Sequence, residues 1–381
     1  MKRKTLFLLF SAAALALAAS APTAAQEATP KPWKIVSWSS SMGSQAATYE
    51  IMYGLKASLA FLNANGGING RELALYALEM DDTSPDFNRN LEALVVQGKP
   101  DLVVGGACSY LGGNTAEYFR RVARPWFGPW SVDPEVFAGR EDDPAGLLPT
   151  SPVQIAMLFA RAKAQMQPGK TLYFIYREGP QASKLYSLAS SAARAAGVDM
   201  KPLRLSNHFR NWEALKESFP GAGAVLLWTA PGPAAAIRRV LDASLGNEVI
   251  WMTHSLNPPG QELIGLTGGR WAGMIFPAVL KPSNEIPEAY SMVLAKYALP
   301  GLRVGYRSFL GFTQGQLLAK AIALAGDRSQ NTPGGILRAL KGLSTAGSLY
   351  QGSRLPDGPT DPAGAYLAVA DNSGGWHRTQ P

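Results

Sequence analysis

The sequence predicts an α/β fold in which parallel sheets are covered by helices on both faces. Three observations lead there. Short continuous apolar runs of strand length alternate with helix-length segments along most of the chain. The stretch FLNANGGINGRELALYALEMDD, Phe61 to Asp82, passes from a helical pattern through paired glycines into an alternating run that ends on acids. With 381 residues and 46% apolar content, the chain can also bury a large core divided between two domains.

The first residues stand apart from that core. Lys2, Arg3 and Lys4 precede the apolar LFLLFSAAALALAA, and small residues lead to Thr23-Ala24-Ala25. This is the pattern of a cleaved secretory signal over 1–25, too short and wrongly flanked for a membrane anchor. Without those three cations the formal charge of +8 falls to about +5. No Lys/Arg run is long enough for a nucleic-acid patch. Cys108 is the only cysteine, so no internal disulfide can form. A soluble exported protein, placed in the periplasm, is expected.

After the leader QEATPKP, KIVSW (34–38) reads as a strand and SSSMGSQ as a polar loop. Ile51, Leu55, Leu59 and Leu62 recur at helical spacing. Asn65-Gly66-Gly67 ends that helix, and Asn69-Gly70 makes a tight turn into ELALYAL. Strand, helix and strand within about fifty residues form a right-handed crossover. Ser84-Pro85 starts a second helix, followed by the strand DLVVGG (101–106), a helix near 115–122 and the apolar PWFGPW. Beyond the loop 141–149, helices at 153–165 and 181–196 flank TLYFIY, and AVLLW and EVIWM supply further strands.

In open parallel sheets, ligands bind outside the carboxyl ends of the strands. The loops after Trp38, Gly106, Trp130, Tyr176, Trp228 and Met252 are therefore the candidates. SSSMGSQ and GGACSYLGG offer hydroxyls and backbone donors suited to a carboxylate or other small anion. Tyr110, Trp130, Tyr176 and Trp228 lie at or just past strand ends, where they form a stacking wall or cap the core. Of the histidines, His208 and His254 are the ones within reach of such a cleft. Enzyme signals are thin. There is no H-E-x-x-H, no G-x-S-x-G, no P-loop and no dinucleotide glycine spacing. Cys108 reads as a structural thiol, because no partner histidine can be placed beside it.

GLKASLAFLNANGGINGRELALYALEMDD resembles the opening signature of type I periplasmic solute-binding proteins of the branched-chain amino acid class of ABC transporters. The resemblance continues through VVGGACS, SVDPE (131–135), LYFIY, NWEALK, AVLLW and QLLAKAIALAG, nearly the whole chain beyond the signal. It implies two parallel α/β lobes joined by three crossings, near 148–152, 276–282 and 345–352. Lobe one would combine 33–149 with 278–346, and lobe two 150–277 with 347–381. The lobes would close on a small solute and deliver it to an inner-membrane permease, as a monomer with no cofactor, no metal and no catalysis. A sensor that presents its ligand to a membrane receptor or kinase is the alternative.

The resemblance also implies a site. Ser41 and Ser109, with neighbouring backbone, would receive a carboxylate from lobe one. Tyr176 and the Trp228 loop would face it from lobe two. The expected ligand-binding set is Ser41, Met42, Ser109, Tyr110, Trp130, Ser131, Tyr176, Trp228 and His254. Two departures weaken an amino-acid ligand. Thr229-Ala230-Pro231 stands where amino-acid binders of this class carry an acid, and Arg177-Glu178 replaces their Tyr-Gly. Without a buried carboxylate an ammonium loses its charge-paired hydrogen bonds. The expected solute is a small carboxylate or aromatic compound, with Glu178 as a possible substitute acid.

Overall fold

The computed structural model describes residues 30–39, 48–80, 84, 86–106, 124–137, 143–179, 181–297, 304–325, 333–356, 361–362 and 364–379. Ser41, Met42, Cys108, Ser109, Tyr110 and the expected helix near 115–122 lie outside the described residues, as does the signal segment.

The first sheet is built from β1 (Trp33–Ser39), β2 (Leu73–Glu79), β3 (Leu102–Val104) and β4 (Trp126–Phe127), in the order β2-β1-β3-β4 and parallel throughout. Helix α1 (Thr48–Ala64) joins β1 to β2. Its exit shows what the glycine-rich motif does. Ile68 and Arg71 exchange backbone hydrogen bonds at 2.9 and 3.0 Å around Asn69 and Gly70, which sit at φ 52° and 71°. The Asn63 side chain donates to the Leu73 carbonyl at 3.0 Å and accepts from its N–H at 2.8 Å, fixing where β2 begins. Helix α2 (Phe87–Glu92) runs into a π-helical turn, Ala93–Gln97, before β3.

A second sheet has seven strands, β5 (Thr171–Arg177), β6 (Met200–Leu205), β7 (Ala222–Trp228), β8 (Ile250–Thr253), β9 (Ile275–Ala278), β10 (Tyr366–Ala370) and β11 (Trp376–Arg378). Their order is β11-β10-β9-β8-β7-β5-β6. Strands β5 to β9 pair in parallel, and the C-terminal hairpin β10–β11 adds antiparallel. Helices α3 (Ser151–Gln165), α4 (Ala182–Ala196), α5 (Pro231–Leu245) and α6 (Gln261–Thr267) accompany it. Alternate residues of β5 face opposite cores. Leu172 and Phe174 pack with Ile155, Phe159 and Ala189, while Tyr173 and Ile175 pack with Ile237 and Leu241.

After β9 the chain supplies three more helices, α7 (Glu288–Tyr297), α8 (Tyr306–Leu324) and α9 (Pro333–Lys341). Helix α8 lies against α1 at backbone distance. A Cβ on Gly54 would stand 2.0 Å from the Ser308 carbonyl oxygen, and one on Gly311 1.8 Å from that of Ile51. Arg307, buried on α8, pairs with Glu50 of α1 at 3.0 Å. The chain therefore passes between the two sheets three times, and the passages are tied together. Gln351 N–H donates to the Val279 carbonyl at 2.7 Å, and Lys281 N–H to that of Leu349 at 2.9 Å. Three buried tyrosines add to this. Tyr306 Oη accepts from Val279 N–H at 2.9 Å, Tyr366 Oη donates to Leu280 O at 2.7 Å, and Tyr350 Oη donates to Leu147 O at 3.3 Å. Among the described residues no helix is long and apolar enough to cross a membrane.

Gly311→Ala forces the two helices apart, and we expect it to lower the unfolding free energy by roughly 3 kcal/mol, the upper part of the overpacking range. Urea unfolding monitored by circular dichroism measures this. A midpoint equal to that of the unaltered protein would show that the helices do not meet at this glycine.

Candidate functional site

The carboxyl ends of β5, β7 and β8 release the chain at Arg177, Trp228 and Thr253. Short loops then lead into α4, whose first turn lines the same space, and into α5, whose preceding residues Thr229 and Ala230 do so. Opposite them stands the segment after β4, Ser131 to Phe137, closed by a 3-10 turn over Pro134–Phe137. Between these walls lies a cavity of about 470 Å³. One wall is formed by Val132 to Glu135, and the other by residues of α4, Trp228 to Ala230, His254 and Leu256. Ser151 N–H donates to the Val132 carbonyl at 2.6 Å, so the start of α3 anchors the first wall.

Trp228 and His254 meet within the cavity wall, with ring centroids 5.2 Å apart and planes tilted by 41°. The His254 ring spends both nitrogens on backbone. Leu256 N–H donates to Nδ1 at 3.3 Å, which leaves the proton on Nε2, and Nε2–H donates to the Thr229 carbonyl at 3.0 Å. Asn257 Nδ2 donates to the same carbonyl at 2.7 Å. His254 is thus a neutral ring that joins the loops after β7 and β8. Burial lowers its pKa to about 4, the Thr229 hydrogen bond opposes that shift, and the nearby Arg307 charge adds to it.

The other expected residues fall in different places. Trp130 is fully buried behind the first wall, where its indole N–H donates to Gln314 Oε1 at 2.9 Å. Gln314 Nε2 donates in turn to the carbonyls of Phe127 and Gly128 at 3.0 and 2.9 Å, tying α8 to the end of β4. Trp130 therefore braces the cavity without lining it. Ser131 is also buried, with Oγ accepting from Asp133 N–H at 3.1 Å. Tyr176 lies in the core between Phe174 and Tyr186, stacked at 5.1 and 6.5 Å. Gly105 and Gly106 make room for tryptophans: a Cβ there would stand 2.4 Å from the Trp130 ring and 2.5 Å from that of Trp38.

Charged residues line the cavity as well, among them Glu178, the expected substitute acid, and Lys184, which no strand-end pattern indicates. Lys184 of α4 pairs with Glu135, linking the two walls at a solvent-exposed rim. Glu178 Oε1 accepts from Asn207 N–H at 3.0 Å, and Arg177 Nη2 donates to the Ser206 carbonyl at 2.7 Å. Asp133 Oδ1 accepts from Glu135 N–H at 3.0 Å, shaping the 3-10 turn as an Asx turn does. Its Oδ2 is buried and receives no hydrogen bond. Burial is the largest influence on this carboxyl and raises its pKa, partly opposed by the Glu135 N–H. The available signal was the sequence SVDPE, an Asp-Pro turn directly after a strand end. Among the described residues no cluster of three or more His, Cys, Asp or Glu could hold a metal ion.

The depressed pKa of His254 sets a pH dependence. The unfolded chain takes up a proton near pH 6.5, which the folded state refuses until about pH 4. The contribution is whole above 6.5 and is lost as pH falls from 6.5 to 4, by about 3 kcal/mol. Thermal midpoints recorded across that window should fall less steeply for His254→Gln than for the unaltered protein. Parallel curves would contradict the buried neutral ring.

Residues 34–374 match the family model for periplasmic binding proteins. Among solved structures of similar fold is a branched-chain amino acid ABC transporter protein from Thermus thermophilus with bound valine. It aligns with TM-score 0.73 and 15% identity over 92% of this chain and 95% of that one. LivJ, the branched-chain amino acid transporter substrate binding protein from Streptococcus pneumoniae in complex with isoleucine, aligns at TM-score 0.72 and 16% identity over 92% and 100%. A fatty acid ABC transporter substrate-binding protein from Thermomonospora curvata gives TM-score 0.73 and 16% identity over 92% of each chain. No curated protein sequence matches the chain. At such identities the likeness of these structures is one of fold, while the match to the family model runs from β1 to the turn before β11, and on that ground the chain belongs to the periplasmic binding protein family.

Proposed function

We propose that this protein is the periplasmic receptor of an ABC-type importer, which takes up a small organic solute between two lobes and carries it to an inner-membrane permease. The solute class is a carboxylate, an aromatic compound or an amino-acid-like molecule. The observation that carries the reading is the cavity of about 470 Å³ whose walls come from the ends of strands in different sheets. A cleft with strand ends and helix starts on both sides suits a ligand that closes it. The protein acts by binding, as a monomer, and catalyses no reaction.

In this reading lobe one comprises 33–149 with 278–346, and lobe two 150–277 with 347–381. The hinge lies at the three passages, where the Leu280–Tyr350 bridge and the hydroxyls of Tyr306, Tyr350 and Tyr366 hold the crossing strands. Trp228 and His254 supply the apolar face of the site. The resemblance assigns Ser41, Met42, Ser109 and Tyr110 to the ligand as well, and these lie outside the described residues. Trp130, Ser131 and Tyr176 support it from behind.

A thermal-shift screen of residues 26–381 against amino acids, short carboxylates and aromatic acids identifies the solute as a raised midpoint. Calorimetry with that solute should then show at least tenfold weaker binding to Trp228→Ala, since a stacked aromatic is worth about 1–3 kcal/mol by truncation. Unchanged affinity would remove the cavity from consideration as the site.

The hinge has its own test. Tyr306→Phe leaves the Val279 N–H without its acceptor, at a stability cost of about 1–3 kcal/mol. Because closure is a population balance, the variant should also shift solute affinity several-fold without touching the cavity. Equal stability and equal affinity together would rule the hinge assignment out.

A further inference from the structure

We infer that the site is built for an elongated solute, one whose apolar tail lies along α4 beyond the reach of an ordinary amino acid. This deepens the proposal that the cavity is the solute site and rests on it. The cavity does not stop at the strand ends. Trp228, Thr229 and His254 line it there, and Gln181, Leu185 and Leu188 line it along the neighbouring helix. From its N-cap Gln181 to Leu188, α4 advances about 10 Å, or two turns.

Size points the same way. At roughly 30 Å³ for each water-sized group, a cavity of about 470 Å³ has room for about fifteen of them. Leucine, with about nine non-hydrogen atoms, would leave roughly a third of that space empty. Closing the rim does not remove the remainder, because Lys184 of α4 already pairs with Glu135 of the opposite wall. The walls stand at ion-pair distance there with the space still between them. The surface along this stretch suits a tail. Leu185 and Leu188 pack against the core of Ile155, Phe159 and Phe174, yet both stay only half-buried. The opposite wall contributes Val132 and Pro134, and the uncharged Ser187 lies between the two leucines in sequence. Apolar surface of this kind gains from being covered, and each methylene buried against it is worth about fourfold in affinity.

Two chain-length series decide the point, the straight-chain alkanoates from butanoate to decanoate and the matching 2-amino acids. Binding to residues 26–381 is measured by calorimetry, below the concentration at which the longer members form micelles. In at least one series affinity should climb about fourfold per methylene past hexanoate length. Ser187→Phe fills the tail space from an exposed position, so the ligand-free thermal midpoint should persist. It should nonetheless bind the member of octanoate length at least tenfold more weakly and move the optimum to a shorter chain. Ser187→Asp, which adds a charge without filling the space, should weaken the same member. The inference is overturned if affinity stops rising at hexanoate length or shorter in both series, if no member of either binds, or if both Ser187 variants bind the long members unchanged. It fails apart from the cavity reading. Short members whose binding is lost in Trp228→Ala leave the cavity in place and remove the tail. Long members that bind Trp228→Ala and Ser187→Phe as they bind the unaltered protein remove the cavity itself.

Discussion

The approach of α1 and α8 at backbone distance governs the rest of this molecule. Helix α8 begins almost thirty residues after β9, a strand of the seven-stranded sheet, yet it buries its length against α1 of the four-stranded one. Glycines at 54 and 311 allow the contact, since any side chain there would strike a carbonyl oxygen. Arg307 and Glu50 add a buried ion pair across it, and breaking such a pair by removing one partner typically costs about 3–5 kcal/mol. With α8 fixed to the first sheet, the chain must leave the second sheet after β9 and return to it for β10 and β11. The passages between the sheets follow from that contact.

Those passages hold buried polar groups that need partners, and the tyrosine hydroxyls supply several of them. Burial raises the pKa of Tyr306, Tyr350 and Tyr366, so all three stay protonated and can donate. Arg307 links this region to the cavity, because its Nη2 donates to the Leu256 carbonyl at 3.3 Å while Nη1 holds Glu50. Gln154 does the same from the other side. Its Nε2 donates to the Pro149 carbonyl at 2.6 Å and to Ser255 Oγ at 2.8 Å, and its Oε1 accepts from Ser255 N–H at 2.8 Å. The loop at 254–257 is thereby tied both to a passage and to α8. A change in how the sheets stand to one another would be felt at the wall that carries His254 and Leu256.

Much of the fold was legible because periodicity is a local property. The strands at 34–38, 171–176 and 224–228 stand within two residues of their observed ends, and the helix of the glycine motif spans Thr48–Ala64 around its apolar repeat. β6 escaped notice for a physical reason: MKPLRL contains Pro202 and charged residues, which an edge strand tolerates and an inner strand does not. β9 contains Pro277 as well, and the β10–β11 hairpin depends on a neighbour distant in sequence. The site was less legible. Strand ends pointed to Trp228 and His254, which line the cavity, but an aromatic at a strand end does not announce which face it occupies. Trp130 turned to Gln314 and Tyr176 to Phe174, each satisfied by a residue that no local pattern reveals. Asp133 and Lys184 come together only through tertiary packing.

The chemistry of the walls then bears on how closure would be driven. A ligand shifts an open–closed equilibrium only by the difference in its affinity for the two states. The Glu135–Lys184 pair bridges the walls without any ligand, but both partners are well exposed, and such pairs contribute about 0–1 kcal/mol. It can bias closure and cannot enforce it. If the cavity is the solute site, a solute that touches Trp228 on one wall and the Val132–Glu135 segment on the other gains its full set of contacts only with both walls close, and that difference in affinity is what would drive closure.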